Sequence, residues 1–427
     1  MTEIDIGGRA EEMLRDYFLE SNCYVARGIK LRFGGTDVTD IDLWLYSRPS
    51  SFSRERTNVD AKYKQKPQAM ERILWAKGVQ AIIGTERCIV ATTDKRPVVK
   101  SYAHEHGVVV LDGHFLSRLV RRASSEPSRW IEDDLLDALA DKSDKTLMDW
   151  KVRASDAKAR LVTDLNFDGC NLWLDDIGVF LKGSVASEHR SLAYRLSYLT
   201  ISYFLVGLDF RSMTLAFEDA NIRKRAIEDG LRYGEAGKEG VNERLRMAEG
   251  LISQYGGRER ASSGMSRRAL QDIQALPVDG LAEFFSKIDV TSDLFMMAKE
   301  LESAAYKTKV PEPGMLSAKA QGALGVMLDF CGLDRTEFYE RAETHSGRTP
   351  MTLDEAQRWL KSMGGRYQVE RAADGFDAVT VSVTSPRSAT ISRIALLDRE
   401  IQGGDRDRRI EAYVVALADE LRSVLER

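Results

Sequence analysis

The chain has 427 residues, of which 43% are hydrophobic and 30% charged, and its formal net charge is −4. That length exceeds one ordinary core and points to two or three domains, while the composition excludes a chain dominated by disorder. No apolar stretch reaches the roughly 18 residues that span a bilayer.

The opening, Met1-Thr2-Glu3-Ile4-Asp5, lacks the basic start and apolar centre of a signal peptide. A cytoplasmic protein without a membrane partner is therefore the expectation. Cys23, Cys88, Cys170 and Cys331 are far apart, with no C-x-x-C, which argues against a disulfide framework and a zinc site. His104 and His106 are two apart, a spacing that does not share a helix face.

Ala10, Met13, Leu14, Tyr17 and Phe18 have helical spacing, so Gly8–Ser21 is expected to be a helix. Tyr24–Phe33 has strand character and ends at Gly34-Gly35. Asp37–Tyr46 reads as the next strand, Arg48–Arg56 as a polar loop around Pro49, and Thr57–Tyr63 as a third strand. Pro67 can open a helix over Gln68–Gly78. Cys88–Thr92 and Val108–Leu111 read as strands, with helices at Val98–His106 and His114–Arg122. The order predicts a mixed sheet that meanders first and then crosses over through helices on both sides.

Residues 123–146 read as a linker, with a short helix around Trp130–Leu139. From 147 to 310 the pattern is mainly helical, interrupted by polar breaks at Glu235–Gly240 and Tyr255–Gly264. The apolar run Tyr198–Leu208 fits a buried helix. Gly234, Gly237 and Gly240 do not follow a strand, which argues against a phosphate loop. Lys307–Gly314 reads as a second linker. Residues 311–427 are expected to form an α+β part with a hairpin, Tyr367–Ala372 and Phe376–Thr384 around Asp374-Gly375, and a closing helix over Arg408–Arg427.

Chemistry concentrates in Thr39-Asp40-Ile41-Asp42-Leu43-Trp44 and Val59-Asp60-Ala61-Lys62-Tyr63-Lys64. A strand places residues i and i+2 on one face, so Asp60 and Lys62 point the same way. Asp42 on the neighbouring strand adds a second carboxylate, and Asp40 shares its face. Carboxylates that hold Mg²⁺ beside a phosphodiester can offset transition-state charge and activate water. The Ala61 carbonyl is a further candidate ligand. Residues 1–122 carry about 20 Lys+Arg against about 16 Asp+Glu. Lys64 and Lys66, with Arg48, Arg54 and Arg56, suggest a cationic rim for a phosphate backbone.

Helix, three strands, Asp on the second, Asp-x-Lys on the third, then a helix: this order resembles the PD-(D/E)xK restriction-endonuclease-like superfamily. Over roughly residues 8–122 it is most similar to the Mrr-type branch. Ala10-Glu11-Glu12-Met13-Leu14 with Tyr17-Phe18 resembles that branch's opening helix. Cys88-Ile89-Val90-Ala91-Thr92-Thr93, Ala103-His104-Glu105-His106-Gly107-Val108 and Leu111-Asp112-Gly113 resemble its closing strands and helices. No proline precedes Asp42, and Tyr63 follows the lysine, both departures from the pattern.

The resemblance implies a restriction-endonuclease-like α/β domain over 1–122 and Mg²⁺-dependent cleavage of DNA, with Mn²⁺ as a substitute and RNA not excluded. Asp42, Asp60 and Lys62 would carry catalysis. Glu11 would add a metal ligand, with Glu12 as the alternative register. By analogy it also implies a bacterial defence, restriction or DNA-processing context, with assembly as a homodimer or with a defence partner through the helical region. The competing expectation is a catalytically inactive nucleic-acid-binding or partner-docking module on the same fold.

Overall fold

The computed structural model describes residues 6–63, 68–122, 129–186, 189–256, 259–336, 338–339, 353–371, 376–384, 390–398, 410, 414–415 and 417–418. The chain divides into two compact units, Met1–Phe338 and Tyr339–Arg427. The division falls after Phe338, beyond the boundary expected near residue 310.

The first unit opens with helix α1 (Ile6–Glu20), followed by strands β1 (Tyr24–Phe33), β2 (Thr36–Ser50) and β3 (Ser53–Lys62). Then come α2 (Ala69–Ile83), β4 (Arg87–Thr92), α3 (Pro97–Glu105), β5 (Val109–Leu111) and α4 (Gly113–Arg122). The sheet order is β1-β2-β3-β4-β5, with β1-β2 and β2-β3 antiparallel and β3-β4 and β4-β5 parallel. This is the expected mixed sheet. The β1–β2 reversal uses Gly34 and Gly35, both at positive φ (58° and 79°). Two such residues between paired Phe33 and Thr36 are what a two-residue hairpin demands, and a side chain there would be strained.

One correction concerns Arg48–Arg56, expected as a loop. The antiparallel ladder continues through it, pairing Ser47 with Glu55 and Ser50 with Ser53. Pro49 is tolerated because it lies close to the reversal, where ladder pairing is ending.

Two cores cover the sheet. Leu14 and Phe18 of α1 and Leu116 of α4 pack on Val25, Leu43, Leu45, Val59 and Ala61. Ala69, Ile73 and Ala76 of α2, with Val99 and Ala103 of α3, pack on Cys88 and Val90. The opposite side of β1 and β2 is covered by the helical region. That region comprises α5 (Glu132–Ala138), α6 (Lys145–Thr163), α7 (Phe167–Ala186), α8 (Arg190–Ser212) and α9 (Ala220–Tyr233). It continues through α10 (Gly237–Gly256), α11 (Glu259–Gln274), α12 (Asp279–Phe285), α13 (Ile288–Thr291), α14 (Leu294–Tyr306) and α15 (Ala318–Phe330). Residues expected as a break, 259–264, therefore start α11.

Burial on both faces explains the unbroken apolar run in β2, where Leu43, Trp44, Leu45 and Tyr46 are all at most 4% exposed. The Tyr24 hydroxyl is 2.7 Å from Ser202 Oγ of α8, and the Tyr46 and Phe295 rings lie 5.9 Å apart. Each large side chain buried at this seam contributes about 1.5–3 kcal/mol. As the Tyr198–Leu208 run suggested, α8 is buried from Ala193 through Asp209. No helix among the described residues is long and apolar enough to cross a membrane.

Residues 129–146 of the expected linker 123–146 also contribute to this core. Glu132 of α5 is buried, where it accepts hydrogen bonds from Lys158 Nζ at 2.5 Å and the Tyr306 hydroxyl at 2.5 Å. Asp144 caps α6 by accepting from the Thr146 and Leu147 N–H groups.

In the second unit, helix α16 (Leu353–Ser362) accompanies strands β6 (Arg366–Arg371), β7 (Phe376–Thr384) and β8 (Thr390–Asp398). The strands form an antiparallel sheet in that order, so the expected hairpin gains a third strand. Val379, Val381 and Val383 alternate into a core with Ala356, Leu360 and Val414. The Ala373-Asp374-Gly375 turn lies outside the described residues, as does most of the closing helix expected at 408–427.

Candidate active site at the parting of two strands

The β2–β3 pairing ends at Leu43 and Val59. Beyond it, β2 stays paired with β1 through Thr36, and β3 stays paired with β4 through Lys62. Each strand keeps an outer partner while the inner ladder stops. Asp42, Asp60 and Lys62 occupy the edges of this parting.

Asp42 replaces part of the missing ladder: its Oδ2 accepts the Ala61 N–H at 2.7 Å. Lys62 Nζ lies 4.0 Å from the same oxygen. Burial raises the Asp42 carboxyl above its ordinary range, and Asp40 adds to the shift. The Ala61 N–H, Lys62 and Arg72 oppose it. The Ala61 side chain is buried in the core on the α1 side of the sheet, and its N–H is the group seen engaged.

Glu11 reaches this neighbourhood from α1. Burial raises its carboxyl first and the Asp42 charge second, while Arg27 and Lys62 oppose the shift. Arg27 Nε donates to Glu11 Oε2 at 2.9 Å. Glu12, the alternative register, points into a different network: it accepts from Arg27 Nη1 at 3.0 Å and pairs with buried Arg15 at 3.6 Å. Arg15 in turn pairs with Glu302 of α14.

Asp60 is held from the other side. Arg72, in the first turn of α2, donates from Nε to Asp60 Oδ2 at 2.8 Å, and its Nη2 contacts Oδ1. Glu11, Asp42 and Lys62 therefore share one electrostatic neighbourhood, and Arg72 ties Asp60 to it. Among the described residues, no group of three or more His, Cys, Asp or Glu side chains is disposed to hold a metal ion. Glu11 and Asp60 each face an arginine. Lys64 and Lys66, the expected substrate contacts, lie outside the described residues.

The arginines of the supposed cationic rim have other duties, which corrects that expectation. Arg54 donates from Nε and Nη2 to buried Asp209 of α8 at 2.5 and 2.9 Å, and Arg48 Nη1 reaches the same carboxylate at 3.0 Å. The Tyr46 hydroxyl donates to it at 2.5 Å. Arg56 pairs with Glu86 at 2.7 Å and lies over the Phe210 ring. These groups fasten the sheet to α8.

Sequence reasoning missed Arg27 and Arg72. Arg27 is a charged residue in a strand and pairs in register with Leu43, next to Asp42. That position was the available signal. Arg72 gives no comparable sign, because only the folding of α2 onto β3 brings it to Asp60. Comparison with protein-family models, curated proteins and solved structures finds no match to this chain.

Proposed function

We propose that the sheet domain of the first unit is a metal-dependent nuclease centre of the PD-(D/E)xK type that hydrolyses DNA phosphodiesters. The observation that carries this reading is the gathering of Glu11, Asp42 and Lys62 where β2 and β3 part, with Asp60 tied alongside through Arg72.

The donor chemistry, rather than a preformed cage, suits such an ion. Oxygen ligands without thiolate or imidazole suit Mg²⁺ or Mn²⁺ better than zinc. Glu11 and Asp42 are partly buried like charges, and the Asp42 charge raises the Glu11 carboxyl, a repulsion that a divalent cation relieves. Asp42 and Asp60 would hold the cation, with Glu11 and the Ala61 carbonyl as further candidates. Bound there, the cation supplies charge neutralisation at the phosphate and activation of water. Lys62, 35% exposed beside Asp42, stands at the entrance, where it orients the scissile phosphate or the attacking water. Lys64 and Lys66, which follow Lys62 in the sequence, are the proposed contacts to the nucleic-acid backbone. The bacterial defence, restriction or DNA-processing context belongs to this proposal by analogy.

A second reading has one observation in its favour. Asp60 already has a bidentate partner in Arg72, as it would in a binding or docking module without catalysis. Incubation of the full chain with DNA and RNA forms, with Mg²⁺, Mn²⁺ or EDTA, separates the two. Metal-dependent cleavage that Lys62→Ala lowers by about 10²–10³-fold supports the nuclease. Salt-dependent binding without cleavage supports the module.

A further inference from the structure

Arg72 and Asp60 form a fork-on-carboxylate pair. Nε donates to Oδ2 at 2.8 Å while Nη2 contacts Oδ1, so both carboxylate oxygens face one planar guanidinium. The Asp60 side chain is 9% exposed and that of Arg72 is 26% exposed. The guanidinium therefore stands at the border between the centre and solvent. It also lies 5.7 Å from the ring of Trp75, which is 47% exposed. Its charge reaches further than Asp60, because it is among the groups that favour ionised Asp42. One side chain thus holds one carboxylate and offsets a second, which is the electrostatic task assigned above to the divalent cation.

We propose that Arg72 competes with the divalent cation for Asp60, and that a substrate phosphodiester relieves the competition by drawing the guanidinium onto its own oxygens. This rests on the metal-centre reading of the preceding subsection. A guanidinium fork fits phosphate as well as it fits carboxylate. Its partial exposure lets it turn outward by side-chain rotation while α2 stays packed through Ile73 and Ala76. Cation and nucleic acid then bind with positive coupling. Each displaces the same contact, so each raises the other's affinity by the same factor. Without nucleic acid the centre takes up metal weakly, which guards against stray hydrolysis.

The test is Mn²⁺ binding to the full chain, followed by the electron paramagnetic resonance of free Mn²⁺. A Lys62→Ala background keeps an added short DNA duplex intact, and uptake by the duplex alone is subtracted. Without duplex, Arg72→Gln should bind Mn²⁺ about tenfold more tightly than the parent, on the scale of losing one charge-assisted hydrogen-bonded competitor. Arg72→Lys, which keeps the charge and loses the fork, should fall between them. The duplex should tighten binding by the parent and change Arg72→Gln little. Equal or weaker binding by Arg72→Gln, with Asp60→Asn abolishing it, overturns the competition and leaves the metal centre standing. Absence of saturable binding in parent and Arg72→Gln alike, or full binding by Asp60→Asn, overturns the metal centre and the competition with it. If circular dichroism shows Arg72→Gln unfolded, Arg72→Lys decides by the same criterion: tighter supports, equal or weaker overturns.

Discussion

The two ends of the β2–β3 ribbon carry the same chemical ingredients and use them differently. At the hairpin end, Arg48, Arg54 and Tyr46 converge on Asp209, which is completely buried. At the parting end, roughly 20 Å away by strand rise, Asp42 and Asp60 meet Lys62 and Arg72 at partial exposure. The first cluster is saturated: one carboxylate accepts four hydrogen bonds from three side chains, and the spare Arg54 nitrogen donates to the backbone carbonyls of Ser50, Ser51 and Ser53. The second sets Glu11, Asp42 and Asp60 against Arg27, Arg72 and Lys62, but Lys62 stands 4.0 Å from Asp42 and the group is reachable from solvent. Saturated, buried charge fixes how elements dock. Unsaturated charge at an opening leaves room for a ligand.

The largest expected effect breaks the closed end. Asp209→Ala removes the shared partner of two arginines and a tyrosine, leaving buried cationic groups uncompensated. Loss of one member of such a buried set costs about 3–5 kcal/mol, read as a lower urea midpoint. A variant within about 0.5 kcal/mol of the parent would show that the cluster does not secure α8 to the sheet. At the open end the pattern should reverse. Lys62→Ala should reduce metal-dependent cleavage by about 10²–10³-fold, the scale of one lost electrostatic contact at a transition state. Because Lys62 is 35% exposed, its unfolding midpoint should hardly move. A large stability loss with cleavage retained would put Lys62 in the closed class.

The same contrast explains what could be read from the chain alone. The period-two placement of Asp60 and Lys62 survives into the structure, because strand geometry is local. So do the strand Tyr24–Phe33 and the helix on Ala10, Leu14 and Phe18, whose apolar spacing matches the faces they bury. Arg48–Arg56 was illegible for a physical reason. A proline and three arginines look like a loop until Asp209, 155 residues beyond Arg54, supplies the partner that makes their burial affordable. Arg72 was illegible for the same reason, since its meaning depends on how α2 packs on β3. Strand β8 depends on β7 for its ladder, and nothing in Thr390–Asp398 alone announces that partner.

A smaller effect sharpens the idea of unsaturated charge. The Asp42 carboxyl is raised by burial, so the folded state holds its proton more tightly than the unfolded state does. Its contribution to stability is complete below the ordinary aspartate value of 3.8 and is lost as pH rises through the folded value. Asp42→Asn removes that loss and can still accept the Ala61 N–H through its side-chain oxygen. Without added metal at pH 7, the variant should be more stable by about 0.5–2 kcal/mol, the usual gain when a functional strain is relieved. The difference should shrink as pH falls towards 3.8. A variant less stable than the parent at pH 7 would mean that Asp42 is a structural carboxylate.

The smallest effect concerns Arg56, which lies between the two classes. It is 20% exposed and its partner Glu86 is 41% exposed, so solvent screens the pair. Arg56→Ala should cost about 0.2–1 kcal/mol, as exposed ion pairs do. The more telling readout is DNA binding. If Arg56 belonged to a cationic rim, its loss would weaken DNA binding and reduce the salt dependence by about one ion. The structure engages it instead with Glu86, the Gly84 carbonyl and the Phe210 ring, so the slope of affinity against salt should match the parent's. A slope lower by one would return Arg56 to the substrate path and move the edge of the open region towards the hairpin.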